Sequence, residues 1–198
     1  MGNWKKEKQQ LEQGDLQETK EEQEKPKSLG REILSWVGTI FFALILALFI
    51  NTFVIVNATV PTGSMEDTIM PKDRIVALRL TYYVSHPQRG DIVVFRFPDD
   101  ESLLYVKRVI GLPGETVEIK DGRVYIDGAE EPLPDEYVKG TPTGDYGPYE
   151  VPEGHYFMLG DNRENSEDSR FWVNKFVEED KILGKVYFRY YPSIDWLE

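Results

Sequence analysis

The longest apolar run in the chain lies near the N-terminus and extends from Ile33 to Val56. Its 24 residues exceed the roughly 20 that a helix needs to cross the hydrocarbon core of a bilayer. The apolar part of a secretory signal peptide is shorter, about 7–15 residues. A buried helix of a soluble domain is the alternative, but a domain of this size has little room to enclose a helix that is apolar on all faces. We therefore predict a single transmembrane anchor over residues 32–57.

Beyond the anchor, apolar positions form short runs rich in β-branched and aromatic residues, separated by turn-forming residues. Two alternating runs are joined by Asp121-Gly122, a dipeptide typical of a two-residue hairpin turn. We predict strands at 74–78, 91–97, 105–110, 116–120, 123–127 and 185–191, and a short helical turn at 178–182. The expected fold class is mainly β, with antiparallel twisted sheets that are partly barrel-like, preceded by one N-terminal transmembrane helix.

Two segments depart from this pattern. Residues 128–153 contain five prolines and several glycines, which predicts a surface excursion from the β domain. The first 28 residues hold six lysines, seven acidic residues and almost nothing apolar, so they cannot bury enough surface to offset the entropy of ordering. We predict a disordered tail over residues 1–31 and a β domain over residues 58–198.

Charge around the anchor predicts its orientation. Lys20, Lys25, Lys27 and Arg31 precede the apolar run, whereas the 20 residues after Val56 contain only two basic side chains. Basic residues favour the cytoplasmic side, so we expect a single-pass protein of the cell membrane with its N-terminus in the cytoplasm. From position 57 onward there are 16 basic and 27 acidic residues, a net charge of −11. A domain this acidic is a poor candidate for binding nucleic acid.

Composition narrows the chemistry further. The chain has no cysteine, which excludes a disulfide framework, a thiol nucleophile and a cysteine metal site. It has two histidines, His86 and His155, too few for a histidine-rich metal centre. We expect no metal and no cofactor.

A serine and a lysine are the candidate reactive groups. Ser64 lies in Val60-Pro61-Thr62-Gly63-Ser64-Met65, soon after the anchor. A serine hydroxyl is a weak nucleophile and needs a neighbouring base. Neither His86 nor His155 lies in a distinctive motif, and both are equally well explained as structural or exposed residues. Lys107 interrupts an apolar strand, so its side chain points either into the core or to an exposed alternate face.

Lysine acts as a base only when it is neutral. Lowering its pKa from about 10.4 to about 7–8 requires roughly 4 kcal/mol of differential stabilisation of the neutral form. Burial among apolar side chains supplies shifts of this size, and Leu, Val and Ile surround Lys107 in the sequence.

Two polar segments suggest supporting groups. Gly63 permits close approach of the backbone to a substrate, and the Thr62 hydroxyl with the Ser64 amide would stabilise a developing oxyanion, although a simple turn explains the same residues. The segment 159–172 is dense in turn formers and charged side chains. Its possible ion pairs, Asp161 with Arg163 or Asp168 with Arg170, either brace a site or are ordinary surface pairs.

The arrangement of these motifs resembles a bacterial type I signal peptidase, a membrane-bound Ser/Lys endopeptidase that releases exported proteins from their leader peptides. The single anchor and short excursion resemble the compact Gram-positive form, and the resemblance spans residues 33–191. Four blocks match in order: the serine block around Ser64-Met65, Gly90-Asp91-Ile92-Val93, Tyr105-Val106-Lys107-Arg108-Val109-Ile110-Gly111-Leu112-Pro113-Gly114, and Gly160-Asp161-Asn162-Arg163 through Asp168-Ser169-Arg170.

The resemblance implies a role for each matching residue. Ser64 is the implied nucleophile, Lys107 the general base, and Thr62 with the Ser64 amide the oxyanion hole. Ser166 matches the serine that orients the lysine. The implied supporting residues are Asp168 and Arg170, which match a structural ion pair, together with Arg108 and Asp161. The family usually has glycine at the position of Val173, which puts the local turn in question but not the catalytic pair.

The substrates implied are preproteins that carry signal peptides and emerge from the bilayer that holds the anchor. Shallow apolar pockets would accept small residues one and three positions before the cut, in a cleft that we expect near Pro61, Met65, Leu104 and Tyr105. Val56-Asn57-Ala58 itself resembles such a cleavage signal, but it lies six residues before Ser64, and we expect it to be a poor substrate in cis.

Two other functions are compatible with parts of the pattern. A self-cleaving Ser/Lys repressor-type protease has related β architecture, but the anchor and the acidic domain argue against work on DNA. An anchored receptor or envelope scaffold is the non-enzymatic alternative, in which Ser64 and Lys107 are only structural.

Overall fold

The computed structural model of the protein describes residues 29–138 and 140–197. The chain divides into two compact units, one ending at Ala47 and the other beginning at Leu48. Helix α1 spans Leu29–Phe49 and continues as a π-helical turn, Ile50–Val54. Together they form a 26-residue helix with a mean hydropathy of 2.6, long and apolar enough to cross a membrane. The predicted tail lies outside the described residues up to position 28.

The rest of the described chain is mainly β, which confirms the expected fold class. The elements in chain order are β1 (Ile55–Thr59), β2 (Arg74–Leu78), α2 (Thr81–Val84), β3 (Ile92–Phe97), β4 (Asp100–Gly111), β5 (Thr116–Lys120), β6 (Arg123–Ile126), β7 (Tyr146–Glu150), β8 (His155–Leu159), β9 (Val177–Glu178), β10 (Ile182–Tyr191) and β11 (Asp195–Trp196). Short 3₁₀ turns occupy Arg163–Asn165 and Glu179–Lys181.

All the strand pairs in this unit are antiparallel, as far as the structure describes it, and they form two sheets. The larger sheet has the order β1-β2-β10-β3-β4-β8-β9, with β11 paired to β10. The smaller has the order β6-β5-β7. Strands β1 and β4 are separated by three strands in the larger sheet, yet residues of both line one cleft. The sheet must therefore curl round on itself, as the barrel-like expectation requires.

Two strands occupy segments that the sequence assigned differently. The apolar run predicted as anchor up to residue 57 ends in β1, where Val56 is buried and pairs with Ala77. Within the predicted excursion, β7 pairs with β5, with Glu150 opposite Thr116. The apolar residues of β1 are equally favourable in lipid and in a sheet interior. In β7, Pro148 is a residue that strands usually lack. Neither strand therefore has a distinctive sequence signal.

Buried apolar side chains fix the strands that carry the polar site. One cluster lies beneath the turn after β1, and it includes Met65, Ile69 and Ile75, each at most 1% exposed. A second packs Phe95 and Val109 against Trp172, which joins β3 and β4 to the loop after β8. Rigid packing on both sides keeps the side chains between these clusters in fixed positions.

Candidate active site

The turn that carries Ser64 is held at both ends by the β domain. The Val60 amide donates to the Asp73 carbonyl at 3.0 Å, and the Lys72 amide donates to the Val60 carbonyl at 2.7 Å. On the other side of Ser64, the Met65 side chain is buried in the core, and its carbonyl accepts from the Ile69 amide at 2.7 Å. Ser64 thus lies between Val60 and Met65, both of which are fixed by contacts with the β domain.

Lys107 reaches Ser64 from the middle of β4, where it pairs with Val93 of β3. Its side chain points inward, and the residue is only 3% exposed. Its Nζ lies 2.5 Å from the Ser64 Oγ, within hydrogen-bonding distance. Strand β4 therefore places an amine against a hydroxyl 43 positions away in the sequence.

Burial lowers the pKa of Lys107 to about 8. Desolvation of the ammonium is the largest cause, and the nearby charge of Arg170 acts in the same direction. The carboxylates of Asp168 and Glu167 oppose it by stabilising the ammonium. A sizeable fraction of Lys107 is therefore neutral near pH 8, as proton transfer from a hydroxyl requires.

Thr62 lies on the same turn as Ser64. Its Oγ1 is 3.5 Å from the Ser64 Oγ, so the two hydroxyls share the same opening. Thr62 is exposed, whereas Ser64 is 7% exposed. This arrangement leaves the Thr62 hydroxyl accessible to a group that reaches the Ser64 Oγ.

Arg108 and Asp161 form a buried ion pair next to the lysine. The Arg108 Nε and a terminal guanidinium nitrogen donate to the two Asp161 oxygens at 2.9 and 2.7 Å. Asp161 also accepts from the Thr68 hydroxyl at 2.7 Å. Arg108 also donates to the Gly90 carbonyl at 2.8 Å, so this pair connects the serine segment, β4 and the loop after β8. The partner of Asp161 is thus Arg108 and not the neighbouring Arg163.

A second buried pair joins Asp168 and Arg170. The Arg170 guanidinium donates to the two Asp168 oxygens at 2.8 and 2.9 Å. Asp168 also accepts from the Gly160 amide at 3.1 Å, and Arg170 donates to the Arg163 carbonyl at 2.8 Å. These bonds close the 160–170 loop, and Arg163 contributes by donating to the Gly160 carbonyl at 3.1 Å.

Ser166 lies in the same cleft as Lys107 and is 6% exposed. Among the described residues, its Oγ has no hydrogen-bond partner. It packs against Gly160, where a built Cβ would come within 2.2 Å of the Ser166 Oγ. The orienting contact to the lysine that the family resemblance implies is therefore not formed in this structure, although both residues line the same cleft.

The Ser64 and Lys107 side chains open into a cleft of about 820 Å³. Pro61, Leu104 and Tyr105 line it, as expected for a substrate cleft. Met65 does not line the cleft, because its side chain turns into the core and is 1% exposed. Successive side chains along the turn point in opposite directions, so Met65 enters the core when Ser64 faces the cleft. The sequence alone does not show which of the two neighbours faces the cleft. The other lining residues are Asn57, Ala58, Thr59, Val60, Thr62, Gly63, Val94, Val106, Glu164, Asn165, Ser166, Glu167 and Phe171.

Asn162 is a site residue that sequence reasoning missed. Its amide donates to the Ser64 carbonyl at 3.1 Å, and its side-chain Nδ2 donates to the Gly63 carbonyl at 3.0 Å. Its sequence signal is its place in the matching block Gly160-Asp161-Asn162-Arg163, because an asparagine in a polar, turn-rich segment is otherwise common.

The two histidines lie elsewhere. The His86 Nδ1 is 2.6 Å from a Glu179 oxygen at the surface, and the His155 Nδ1 is 2.9 Å from the Glu153 carbonyl. Neither lines the cleft. Within the described residues, no group of three or more His, Cys, Asp and Glu side chains is arranged to hold a metal ion.

Comparison with known proteins gives a consistent result. The family model described as signal peptidase, peptidase S26, matches residues 33–191. A Synechocystis sp. protein named "Probable signal peptidase I-2" is 40% identical over 159 residues, which cover 78% of this chain and 71% of that protein. A Bacillus licheniformis protein named "Signal peptidase I" is 37% identical over 178 residues, covering 86% of this chain and 95% of that protein.

A crystal structure of a signal peptidase I from Enterococcus faecalis V583 is 38% identical in sequence, with a TM-score of 0.44. The match covers 51% of this chain and 97% of that one. The family match over most of the chain and the identity to these relatives lead to one conclusion: this chain is a hydrolase that belongs to the signal peptidase family, peptidase S26.

Proposed function

We propose that the protein is a membrane-anchored serine endopeptidase that removes signal peptides from exported preproteins, with Ser64 as nucleophile and Lys107 as general base. The observation that carries the proposal is the 2.5 Å separation of the Lys107 Nζ and the Ser64 Oγ on the wall of an open cleft. Family membership supports the cleavage of signal peptides by a serine protease. The dyad gives that activity a mechanism.

The reaction begins with neutral Lys107. Its amine accepts the Ser64 hydroxyl proton as the Oγ attacks the scissile carbonyl carbon and forms a tetrahedral intermediate. The lowered pKa, about 8, makes the neutral amine available without a histidine. The negative charge that develops on the carbonyl oxygen accepts hydrogen bonds from the Ser64 amide and the Thr62 hydroxyl.

Collapse of the intermediate breaks the peptide bond. Lys107 returns the proton to the leaving amine, which is the new N-terminus of the mature protein, and the signal peptide remains as an ester on the Ser64 Oγ. A water molecule then loses a proton to Lys107 and attacks the ester carbonyl. The signal peptide leaves with a free carboxylate, and Lys107 gives the proton back to the Ser64 oxygen.

The edges of two strands support binding of an extended peptide. Strand β1 ends the larger sheet, and β4 pairs with β8 only from Arg108 to Gly111 within the described chain. The edge of β4 at Leu104–Val106 is therefore available on the side that lines the cleft. An added peptide strand gains main-chain hydrogen bonds from such edges, and alternate side chains point into pockets. Ala58 and Val60 of the facing wall suit small apolar side chains.

The anchor gives the reaction its location. A preprotein signal peptide and helix α1 both favour the bilayer, so holding the enzyme and substrate in one membrane raises their effective concentration. The excess of basic residues before α1 favours an N-terminus in the cytoplasm and a catalytic domain outside. We propose this topology for the cell membrane.

Cleavage of a leader-bearing precursor by the full chain in detergent or vesicles tests the dyad. Ser64→Ala and Lys107→Ala are each expected to abolish cleavage and to leave the unfolding temperature near that of the wild type. Cleavage retained by either variant contradicts the dyad. An inactive wild type, together with tight binding of intact precursors, would instead favour the receptor or scaffold function.

Topology has a direct test because the chain has no cysteine of its own. A single cysteine introduced as Gly14→Cys or as Glu130→Cys is exposed to a membrane-impermeant maleimide in intact cells. Labelling is expected at position 130 and not at position 14. The reverse pattern contradicts the proposed orientation.

A further inference from the structure

One side chain bonds both the backbone of the nucleophile turn and a neighbouring carboxylate. The Asn162 Nδ2 donates to the Gly63 carbonyl at 3.0 Å and to a Glu66 carboxylate oxygen at 3.1 Å. Its backbone amide donates to the Ser64 carbonyl at 3.1 Å. Asn162 therefore fixes two successive carbonyl groups around the proposed nucleophile from a loop that is almost 100 residues away in sequence.

The Glu66 carboxylate completes this arrangement. It lies so close to Gly63 that a Cβ built there would come within 2.4 Å of its Oε1. The Glu66 amide also donates to the Gly63 carbonyl at 3.1 Å, which closes a tight turn around Ser64 and Met65. A carboxylate that accepts one proton of the Asn162 amide orients that amide, so the other proton is aimed at the Gly63 carbonyl.

The direction of the Gly63 carbonyl decides the direction of the Ser64 amide. The two groups belong to one peptide unit, which is planar and trans, so the N–H points opposite to the C=O. Holding the carbonyl on one side of the turn turns the Ser64 N–H to the other side. Glycine at position 63 has few steric limits, so the single bond from the Glu66 amide within the turn leaves this peptide some freedom to rotate.

We propose that Asn162 and Glu66 are positioning residues for the oxyanion hole: they hold the Gly63–Ser64 peptide so that the Ser64 N–H faces the carbonyl oxygen of the substrate. This role rests on the proposed function of the Ser64 amide. Asn162 and Glu66 act through the backbone and need no contact with the substrate. Neither side chain lines the cleft.

The proposal gives a specific kinetic pattern for Asn162→Ala. The variant keeps the backbone bonds to the Ser64 and Gly63 carbonyls, but it loses the side-chain bond that fixes the direction of the Gly63 carbonyl from outside the turn. Removal of one oxyanion donor typically costs about 10²–10³ in kcat, so partial misorientation is expected to lower kcat about tenfold to a hundredfold. KM should stay within about threefold, because the strand edges and pockets are unchanged. The apparent pKa near 8 in the pH–rate profile should also stay, because the lysine keeps its surroundings.

Variants of Glu66 test the coupling between the two side chains. Glu66→Gln keeps an oxygen acceptor for the Asn162 amide and is expected to retain most of the wild-type kcat, whereas Glu66→Ala is expected to lose about threefold to tenfold. Asn162→Asp places two carboxylates together against the Gly63 carbonyl and should be the most damaging single change. Combining Asn162→Asp with Glu66→Gln gives the introduced carboxylate a hydrogen-bond donor, and part of the lost kcat should return.

A peptide aldehyde that spans the cleavage site distinguishes a loss of oxyanion stabilisation from a general loss of peptide binding. Its adduct with Ser64 carries an oxyanion, so its inhibition constant in Asn162→Ala should rise by the same factor as the loss in kcat. The matching peptide alcohol forms no adduct, and its binding should not change. Asn174→Ala is the control, because the Asn174 Nδ2 bonds the Pro98 carbonyl at 3.4 Å on an exposed loop outside the cleft.

A wild-type kcat in Asn162→Ala, or equal weakening of the aldehyde and the alcohol, would overturn the proposal. A crystal structure of Asn162→Ala tests the same step without activity, with a rotated Gly63–Ser64 peptide as the expected result and an unmoved peptide as the contrary one. If the wild type fails to cleave precursors, the proposed function fails, and the peptide orientation in this variant still decides whether Asn162 positions the turn.

Discussion

Arg108, the residue that follows the proposed base in β4, is joined to Asp161 by two buried hydrogen bonds, at 2.9 and 2.7 Å. Both side chains are at most 3% exposed. The Arg108 guanidinium also stacks over the Tyr137 ring at 4.0 Å, so it is enclosed by partners on several sides. This pair holds the loop that carries Asn162 against the strand that carries Lys107. Breaking the Arg108–Asp161 pair should therefore lower both the stability of the protein and its activity.

Asp161→Ala is expected to destabilise the protein strongly. Removing one partner of a buried ion pair leaves the other charge unpaired, at a cost of about 3–5 kcal/mol. Denaturant unfolding of the full chain in detergent, followed by tryptophan fluorescence, measures the loss. Lys181→Ala is the matched control, because Lys181 pairs with Glu101 at 2.9 Å at the surface, where such pairs contribute little to stability. Equal effects of the two substitutions would contradict the structural role of Asp161.

The pKa of Lys107 makes activity depend on pH. In the proposed mechanism the reactive form is the neutral amine, which predominates above the pKa, so kcat/KM should rise with pH through about 8 and then level off. The Glu167 carboxylate stabilises the ammonium, and Glu167→Gln should therefore shift this rise to lower pH.

Glu164→Gln is the control for that shift. Glu164 also lines the cleft and is also exposed, but it is not among the charges with the largest effects on the pKa of Lys107. Its pH–rate profile should keep the wild-type midpoint. A midpoint that moves upward in Glu167→Gln, or moves equally in both variants, would contradict the electrostatic account.

Gly160 should tolerate no side chain. A Cβ there would lie 2.2 Å from the Ser166 Oγ and 2.4 Å from the Ser64 carbonyl oxygen. Gly160→Ala is expected to lower stability by about 1–3 kcal/mol through overpacking and to lower kcat by displacing Ser64. Steady-state kinetics and thermal unfolding of the full chain measure the two effects.

The Ser166→Ala background tests the contribution of the Ser166 hydroxyl to the clash at Gly160. It removes the hydroxyl contact but leaves the Ser166 Cβ at 2.7 Å and the Ser64 carbonyl oxygen at 2.4 Å, so it should not restore the activity of Gly160→Ala. Gly38→Ala, at a helical glycine with open space around it, should have no effect on either measurement. Recovery in the double variant would mean that the Ser166 hydroxyl, and not the Ser64 backbone, limits this position.

Local patterns predicted most of the strands because each strand carries its own apolar alternation. The same alternation leaves the direction of Lys107 open between the core and an exposed face, and the fold places this side chain inward. The partner of Asp161 is different. Arg163 is two residues away and Arg108 is 53 away, and only the folded pairing of β4 with β8 brings the distant residue closer. Long-range pairing of this kind has no local sequence signal.

The boundary between the apolar helix and the β domain is a second feature that the sequence does not predict correctly. Ile55 and Val56 are apolar, as a membrane helix requires, yet they begin a strand that pairs with β2. Lipid and a protein core both favour such side chains, so composition cannot separate them. In contrast, Asn57 and Thr59, which are exposed on β1, follow the alternation of a half-buried strand. The alternation of apolar and polar residues, rather than hydropathy, is therefore the sequence signal that the helix has ended.

The chain should not process itself at Val56-Asn57-Ala58, although these residues match the small-residue pattern of a leader. They form the middle of β1, and all three pair with residues of β2, in the stretch from Ile75 to Ala77. Cleavage after Ala58 would require the strand to leave the sheet and return to the Ser64 Oγ from six residues away. Mass spectrometry of the purified active protein should give the intact chain of 22.9 kDa, equal to that of Ser64→Ala apart from the substituted atom. A wild-type species that begins at Thr59, and that is missing from Ser64→Ala, would contradict this prediction. It would show that β1 separates from β2 and that the protein cleaves itself after Ala58.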